Sequence, residues 1–167
     1  MTRKIAVLTG ARAEYGILSS LMTEIKQTKG LELLTLVTGS HLVKEYGYSI
    51  SEIIKDGFKP DAIIPMYPKK LEESTNNSLP IYLGVGLKNI TLSLSKLKPD
   101  LLIVFGDRGE AFMGAVAAAY LNIPVAHIHG GDQADGLDID DSLRHAITKL
   151  AHIHFPATPK SRQRIIQ

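Results

Sequence analysis

The sequence has 167 residues, of which 44% are hydrophobic and none is cysteine. This composition suits one compact domain and excludes disulfides, thiolate nucleophiles and cysteine-based zinc sites. The net charge of +2 comes from interleaved acids and bases, and no basic block favours a nucleic-acid groove. Since no apolar run approaches the ~18 residues of a membrane span, we expect a soluble, cytoplasmic protein without nucleic-acid or membrane partners.

Apolar runs of strand length alternate with longer amphipathic segments along the whole chain, a pattern typical of βαβ units. The hydrophobicity of the first and fourth runs is continuous rather than alternating, which indicates strands covered on both faces. The fold class is therefore α/β, with a doubly wound parallel sheet. Strands are predicted at Lys4–Leu8, Leu31–Val37, Ala62–Pro65, Leu101–Phe105, Pro124–Ile128 and His152–Phe155, and helices at Gly16–Thr28, Tyr46–Asp56, Ile81–Leu97, Glu110–Leu121 and Ile139–Leu150.

The turn after the first strand reads TGARAEYG. In sheets of this class ligands bind outside the carboxyl ends of the strands, so the polar groups of this turn are candidates for binding. A glycine lets an anion approach backbone N–H groups, and Arg12 can form bidentate bonds to phosphate. The turn lacks the GxGxxG pattern of dinucleotide sites. A plain strand-to-helix turn with a solvated arginine is the alternative interpretation.

The middle of the chain offers little chemistry before the fourth strand. The polar segment Met66–Leu79 is typical of a mobile loop. Gly84 and Gly86 follow it, but no strand precedes them and the third glycine of a phosphate loop is missing. We predict that both glycines lie within a helix.

The fourth strand is followed by GDRGE. Asp107 stands at the tip of the most hydrophobic strand, where a partly desolvated carboxylate can exchange a proton or orient a group that does. Arg108 beside it is a candidate phosphate ligand. Asp107 and Glu110 also have the spacing of a helix capping pair, so a purely structural role for Asp107 stays open.

Two histidine pairs, His127/His129 and His152/His154, have the spacing that places both members on one face of a strand. Two imidazoles can bind zinc, but the remaining ligands would have to come from distant positions. The acidic loop that follows His129 lacks the spacing of an EF-hand. We therefore predict satisfied histidines near a polar crevice and no metal site.

The start of the last predicted helix carries more acids than capping needs. Asp138, Asp140 and Asp141 crowd it, and Arg144 and His145 follow one turn later. On a helix Asp140 and Asp141 form i,i+4 pairs with Arg144 and His145 on one face. A carboxylate, a guanidinium and an imidazole together can serve acid–base chemistry on an anionic substrate.

Taken together and in order, these motifs resemble the hydrolysing UDP-N-acetylglucosamine 2-epimerases across essentially the whole chain. The resemblance implies that residues 1–167 form the N-terminal Rossmann-like half of a glycosyltransferase-B-like enzyme, truncated before a second, nucleotide-binding domain. It implies a UDP-sugar substrate, no cofactor, and a homo-oligomer when the protein is full length. The motifs that carry it are TGARAEYG, VTGSHL, GDRGEA, NIPVAHIHGGD and DDSLRHAITKLAHIHF.

The implied reaction converts UDP-N-acetylglucosamine and water into N-acetylmannosamine and UDP, as in sialic-acid biosynthesis. UDP is eliminated with loss of the C2 proton, and the resulting glycal is hydrated with inversion at C2. The resemblance implies catalytic roles for Asp107 and for the acidic pair Asp140 and Asp141. Arg12 and Arg108 match arginines on the phosphate side of the site, and Arg144 and His145 match residues that shape it.

Two positions depart from the family pattern. His129 stands where several members have glutamate, so His129 or the neighbouring Asp132 is expected to take over part of the proton transfer. Gly16 replaces a serine that some members have near the nucleotide. Two alternatives follow: an epimerase for a related UDP-diacetamido-trideoxyhexose, and a module that binds nucleotide sugars without catalysis. The 167 residues alone are expected to turn over little substrate.

Overall fold

The computed structural model describes residues 2–68, 78–133 and 139–166. Two short 3-10 turns, Gly39–Leu42 and Lys44–Tyr46, stand between the second strand and the second helix. The strands are β1 (Arg3–Thr9), β2 (Leu31–Thr38), β3 (Pro60–Ile64), β4 (Leu101–Phe105), β5 (Val125–Ile128) and β6 (Ile153–Phe155); the helices are α1 (Arg12–Gln27), α2 (Ile50–Lys55), α3 (Ser78–Leu97), α4 (Gly109–Tyr120), α5 (Ile139–Leu150) and α6 (Pro159–Ile166).

The six strands form one parallel sheet in the order β3-β2-β1-β4-β5-β6. The chain builds the sheet outward from β1 to β3 and then crosses back to place β4 on the other side of β1. This reversal between β1 and β4 defines the point where a doubly wound sheet opens a crevice. The predicted α/β class with a doubly wound parallel sheet is confirmed.

Helices cover both faces of the sheet, which is why the central strands are continuously apolar. The last five residues of β1 and the middle three of β4 are buried. One core cluster includes Leu36, Ile90 and Leu102, and the cluster on the opposite face includes Leu18 and Met22. Each of these side chains is at most 1% exposed.

The first two helices differ from their predicted bounds. Helix α1 begins at Arg12 rather than Gly16, so most of the TGARAEYG turn is already helical. Helix α2 begins at Ile50 rather than Tyr46. Gly47 and Tyr48 have φ angles of 89° and 47°, and this left-handed backbone cannot continue a right-handed helix.

The middle of the chain fits the predictions in part. Of the predicted loop Met66–Leu79, residues 69–77 lie outside the described ranges, and Ser78 and Leu79 already belong to α3. The prediction that Gly84 and Gly86 are helical is confirmed. A Cβ on Gly86 would lie 2.8 Å from the Met113 Cε atom, so this glycine lets α3 approach α4 closely.

The chain closes with β6 and α6, which follow the fifth helix on the β5 side of the sheet. Helix α6 spans Pro159–Ile166 and is not among the five predicted helices. Within the described ranges, no helix combines the length and the apolar character that crossing a bilayer demands.

Candidate functional site

The candidate site lies at the carboxyl edge of the sheet. Glycines end or follow three central strands there: Gly10 after β1, Gly39 after β2 and Gly106 after β4. Because all strands are parallel, the residues after each strand meet at this one edge. Two groups of charged side chains occupy it, one between β4, β5 and α5 and the other at the reversal between β1 and β4.

Asp107 and Arg144 form the centre of the first group. A guanidinium N–H of Arg144 donates to Asp107 Oδ2, which joins the end of β4 to α5. Helix α4 is preceded by Arg108 and has no side-chain capping bond at that residue. The capping interpretation of Asp107 is therefore wrong, since its carboxylate turns to Arg144 instead.

Arg144 also approaches the loop after β5. Its Nη1 atom lies 3.9 Å from Asp132 Oδ2, so one guanidinium faces two carboxylates. The Arg144 side chain is 16% exposed, and burial lowers the pKa of Arg144 below its ordinary value. Both carboxylates help to keep such a desolvated cation in place. Asp107, Arg144, Asp132 and His129 are called the Arg144 network below.

His129 joins the network through Asp132. The Nδ1 atom of its ring lies 2.9 Å from Asp132 Oδ2, and the ring packs against Phe105 with centroids 5.0 Å apart. The backbone of His129 has a φ of 64°, an uncommon conformation for a residue with a side chain. A histidine whose Nδ1–H is held by a carboxylate presents its Nε2 lone pair as a base.

His127 has a different role from His129. The prediction that His127 and His129 share one face of a strand is wrong, because β5 ends at Ile128 and the backbone turns at His129. His127 is fully buried, with Nε2 lying 2.7 Å from the Gly106 carbonyl oxygen and Nδ1 lying 3.2 Å from Thr148 Oγ1. Burial lowers its pKa. His127 is the satisfied histidine that the sequence predicts.

The second group is called the Glu14 cluster and consists of Glu14, Glu110 and Arg108. Arg108 Nε lies 3.6 Å from Glu14 Oε1 and 3.6 Å from Glu110 Oε2. Glu14 Oε2 accepts a 2.9 Å hydrogen bond from the Gly10 N–H group. Oε1 of each glutamate is buried without a hydrogen-bond partner among the described residues. The sequence analysis considered Glu110 only as the capping partner of Asp107 and assigned no role to Glu14.

Burial dominates the chemistry of Glu14. It raises the pKa of Glu14 to about 7, with a further contribution from the charge of Glu110, while the Gly10 N–H group opposes the rise. The cluster is tightly packed as well, since a Cβ on Gly39 would lie 2.5 Å from Glu110 Oε1. Burial, followed by the charge of Glu110, raises the pKa of Tyr67 to about 12.

The remaining predicted site residues are dispersed. Arg12 Nε pairs with Glu52 at 3.0 Å, and the Arg12 side chain is 75% exposed. His145 is exposed on α5. Arg144 thus pairs with residues outside its own helix, whereas the sequence suggested partners one turn away. Asp138 lies outside the described residues.

Asp140 and Asp141 lie in the first turn of α5. Asp140 lines a cavity of about 480 Å³ that reaches Arg108 and has mainly apolar walls, including Leu83 and Phe112. In the ranges that the structure describes, no three histidine or acidic side chains stand close enough together to hold a metal ion.

Comparisons with known proteins show which family the chain belongs to. Residues 23–167 match the model of the family described as UDP-N-acetylglucosamine 2-epimerase. The chain is 40% identical over 167 residues to a hydrolysing UDP-N,N'-diacetylbacillosamine 2-epimerase of Legionella pneumophila, covering all of this chain and 43% of that protein. It is 34% identical over 165 residues to a hydrolysing GDP/UDP-N,N'-diacetylbacillosamine 2-epimerase of Campylobacter jejuni, covering 99% of this chain and 42% of that protein.

A solved structure of a UDP-N-acetylglucosamine 2-epimerase homologue from Listeria monocytogenes shares the fold. It superposes with a TM-score of 0.85 at 18% identity, over 99% of this chain and 42% of that one. This likeness confirms the Rossmann-like architecture. The chain spans less than half the length of these relatives. From the family match over most of its length and the two sequence relatives, the chain belongs to the UDP-N-acetylglucosamine 2-epimerase family.

Proposed function

We propose that the full-length protein is a hydrolysing UDP-sugar 2-epimerase and that this chain supplies one wall of its active site. A base takes the proton from C2 while the C1–O bond breaks and its electron pair leaves with UDP. The glycal so formed takes a proton at C2 on the opposite face and hydroxyl from water at C1. With UDP-N-acetylglucosamine the products are N-acetylmannosamine and UDP. This reaction would supply N-acetylmannosamine for the synthesis of sialic acids.

The observation that carries this proposal is the Arg144 network, in which three separate segments bring a base, two carboxylates and a cation together. His129 is the proposed proton carrier at C2, because Asp132 holds its Nδ1 and leaves Nε2 for the substrate. Asp107 is the proposed carboxylate that stabilises positive charge at C1. Both roles require only that the sugar ring lie at this edge.

The Glu14 cluster supports the other half of the reaction. Arg108 is 46% exposed although both of its glutamate partners are buried, so its guanidinium can meet a ligand from the solvent side. A diphosphate leaving group needs such a cation to offset its developing charge. Arg108 is therefore the proposed diphosphate ligand of this chain, with Arg12 and Asp140 as further members of the site.

A diacetamido sugar is the second candidate substrate. Both relatives named above carry N,N'-diacetylbacillosamine in their names. The cavity of about 480 Å³ between Arg108 and Asp140 has apolar walls, which suit the methyl group of an additional acetamido substituent better than a hydroxyl. UDP-N-acetylglucosamine and a UDP-diacetamido-trideoxyhexose are thus the two substrates to compare.

The test is an assay of the full-length protein with a panel of UDP-sugars in deuterium oxide. UDP release together with one deuterium at C2 of the product is the expected result, because the proton that returns to C2 comes from solvent. Turnover without deuterium at C2 would contradict the mechanism. A non-catalytic binding module would bind a UDP-sugar without releasing UDP. The isolated 167-residue chain is expected to release little UDP, and rapid release by it would contradict its proposed role as one wall.

A further inference from the structure

We propose that Ser161 is a positioning residue for His129 and acts through Asp132. The proposal rests on the function proposed above, since it explains how a histidine can serve where the family resemblance leads one to expect a glutamate. Ser161 lies in α6, 29 residues along the chain from Asp132, and the sequence analysis gave it no role. Two hydrogen bonds, from Ser161 to Asp132 and from the imidazole to Asp132, connect Ser161 to His129.

The direction of these bonds follows from the chemistry of their members. Asp132 Oδ1 and Oδ2 contact Ser161 Oγ and His129 Nδ1, respectively. A carboxylate accepts hydrogen bonds and donates none. The hydroxyl of Ser161 therefore donates to Asp132, and Thr158 Oγ1, 2.7 Å from Ser161 Oγ, is left to donate to Ser161. The hydrogen bonds from Thr158 to Ser161, from Ser161 to Asp132 and from His129 to Asp132 are thus all donated in the direction of the Asp132 carboxylate.

Ser161 itself is held from several sides. Its side chain is buried with the residue 2% exposed, and its N–H group donates to Thr158 Oγ1 at 3.1 Å. A Cβ on Gly131 would lie 2.4 Å from the Ser161 carbonyl oxygen, and Gly131 has a φ of 76°. Arg164 Nη1 donates to the Gly131 carbonyl oxygen at 3.0 Å. Helix α6 and the loop after β5 therefore form one packed unit.

Ser161 favours His129 over Arg144 as the partner of Asp132 Oδ2. Arg144 Nη1 lies 3.9 Å from the same Oδ2 atom that contacts His129, so rotation of the carboxylate toward Arg144 would release the imidazole. The bond from Ser161 to Oδ1 opposes this rotation. His129 then keeps its Nδ1–H tautomer and its direction, and a misplacement of about 1 Å at a reacting group costs on the order of 100-fold in rate.

The first experiment is a double-mutant cycle on the full-length protein. Ser161→Ala is expected to lower kcat at least about 10-fold with KM changed less than about 3-fold. In an Asp132→Asn background the same substitution should cost less than about 2-fold, because the residue that it acts through is already altered. Lys160→Ala, on the exposed side of the same helix, is the matched control and should leave kcat unchanged. If Ser161→Ala lowered kcat by the same factor in both backgrounds, its role would be merely structural and the proposal would be overturned.

The second experiment does not depend on turnover. The 15N chemical shifts of the His129 ring report which nitrogen carries hydrogen, and Ser161→Ala is expected to increase the Nε2–H tautomer relative to wild type. Ser161→Cys keeps the side-chain size but donates weakly, so it serves if the alanine variant does not fold and should give an intermediate shift. An unchanged tautomer in a folded variant would overturn the positioning role, whereas absence of wild-type turnover would overturn only the proposed function.

Discussion

The Arg144 network and the Glu14 cluster lie at the same edge of the sheet, yet they treat their carboxylates in opposite ways. Asp107 and Asp132 each have a side chain that is 22% exposed, and each contacts a donor across the network. The side chains of Glu14 and Glu110 are 9% and 5% exposed and share one guanidinium at 3.6 Å. Both groups follow parallel strands, so topology alone does not create the difference.

The difference shows what each group is suited to do. A carboxylate that is partly exposed and contacts hydrogen-bond donors is held in place and can still reach a substrate. A carboxylate buried with an unpaired oxygen is stabilised by taking up a proton, as the raised pKa of Glu14 indicates. We infer that the Arg144 network performs the reaction, while the Glu14 cluster fixes one cation beside it. The predictions below break these two groups one at a time.

The largest effect is expected from Asp107→Asn, which breaks the Arg144 network at its centre. The amide cannot offset positive charge at C1 and leaves Arg144 with one carboxylate partner. We expect kcat of the full-length protein to fall about 1,000-fold or more, measured as UDP release. Affinity for the UDP-sugar, measured by calorimetry, should change little, because the diphosphate is assigned to the other group.

The matched control for this variant is Asp100→Asn. Asp100 precedes the same strand, at the far end from the site, and accepts a hydrogen bond from the Lys4 N–H group. Its substitution should leave kcat unchanged. If Asp107→Asn kept wild-type turnover, the Arg144 network would be structural and the assignment of the two groups would be reversed.

The sequence showed which strand ends carry charge but not how the charges pair. Asp107 and Arg144 were both predicted site residues, and their motifs lie 37 residues apart. Their contact depends on how α5 docks against the sheet, which no local spacing encodes. The i,i+4 pattern suggested partners within one helix, and it could not reveal that Arg144 faces β4 and the loop after β5.

Glu14 was missed although its sequence carries a signal. It precedes Leu18, Met22 and Ile25 at helical spacing, and all four residues are buried on the same side of α1. A charged residue on the apolar face of a helix is a candidate for a perturbed pKa. The sequence analysis gave a binding role to Arg12 of the same motif, whose side chain the structure leaves exposed. Ser161 had no such signal, because its contact with Asp132 arises only from tertiary packing.

The next largest effect is expected from Glu14→Gln, which mimics the protonated acid. In the folded protein Glu14 has a pKa of about 7, above the value of 4.5 in an unfolded chain. The folded state therefore holds the proton more tightly, and this stability is present below pH 4.5 and lost as the pH rises through 7. The loss is about 3 kcal/mol. Glutamine abolishes it, since it does not titrate.

The measurement is the midpoint of urea unfolding at pH 5 and pH 8 for wild type and variant. The change in midpoint between the two pH values should be smaller for Glu14→Gln than for wild type. Glu24→Gln, an exposed glutamate on the same helix, should behave as wild type. Equal pH dependence in wild type and Glu14→Gln would mean that Glu14 is not the buried proton carrier of its cluster.

A smaller effect is expected from Arg108→Gln, which removes the cation of the Glu14 cluster. Loss of a charge-assisted bond to the diphosphate should raise KM about 10-fold with a lesser change in kcat. It should also raise the pKa of Glu14 further, because the charge of Arg108 now opposes the rise. Arg162→Gln, an exposed arginine on α6, is the control. An unchanged KM would show that Arg108 does not bind the diphosphate.

The smallest effect is expected from Arg12→Ala, and it decides where the phosphate side of the site ends. Arg12 forms an exposed ion pair with Glu52, and such pairs contribute at most about 1 kcal/mol to stability. We expect KM to rise only a few-fold. Glu52→Gln breaks the same ion pair but keeps the arginine, so it should leave KM unchanged or lower it. If Arg12→Ala raised KM as much as Arg108→Gln, the phosphate side of the site would extend to the turn after β1. The exposed Arg12 would then be a third functional element at this edge of the sheet, independent of the Arg144 network and the Glu14 cluster.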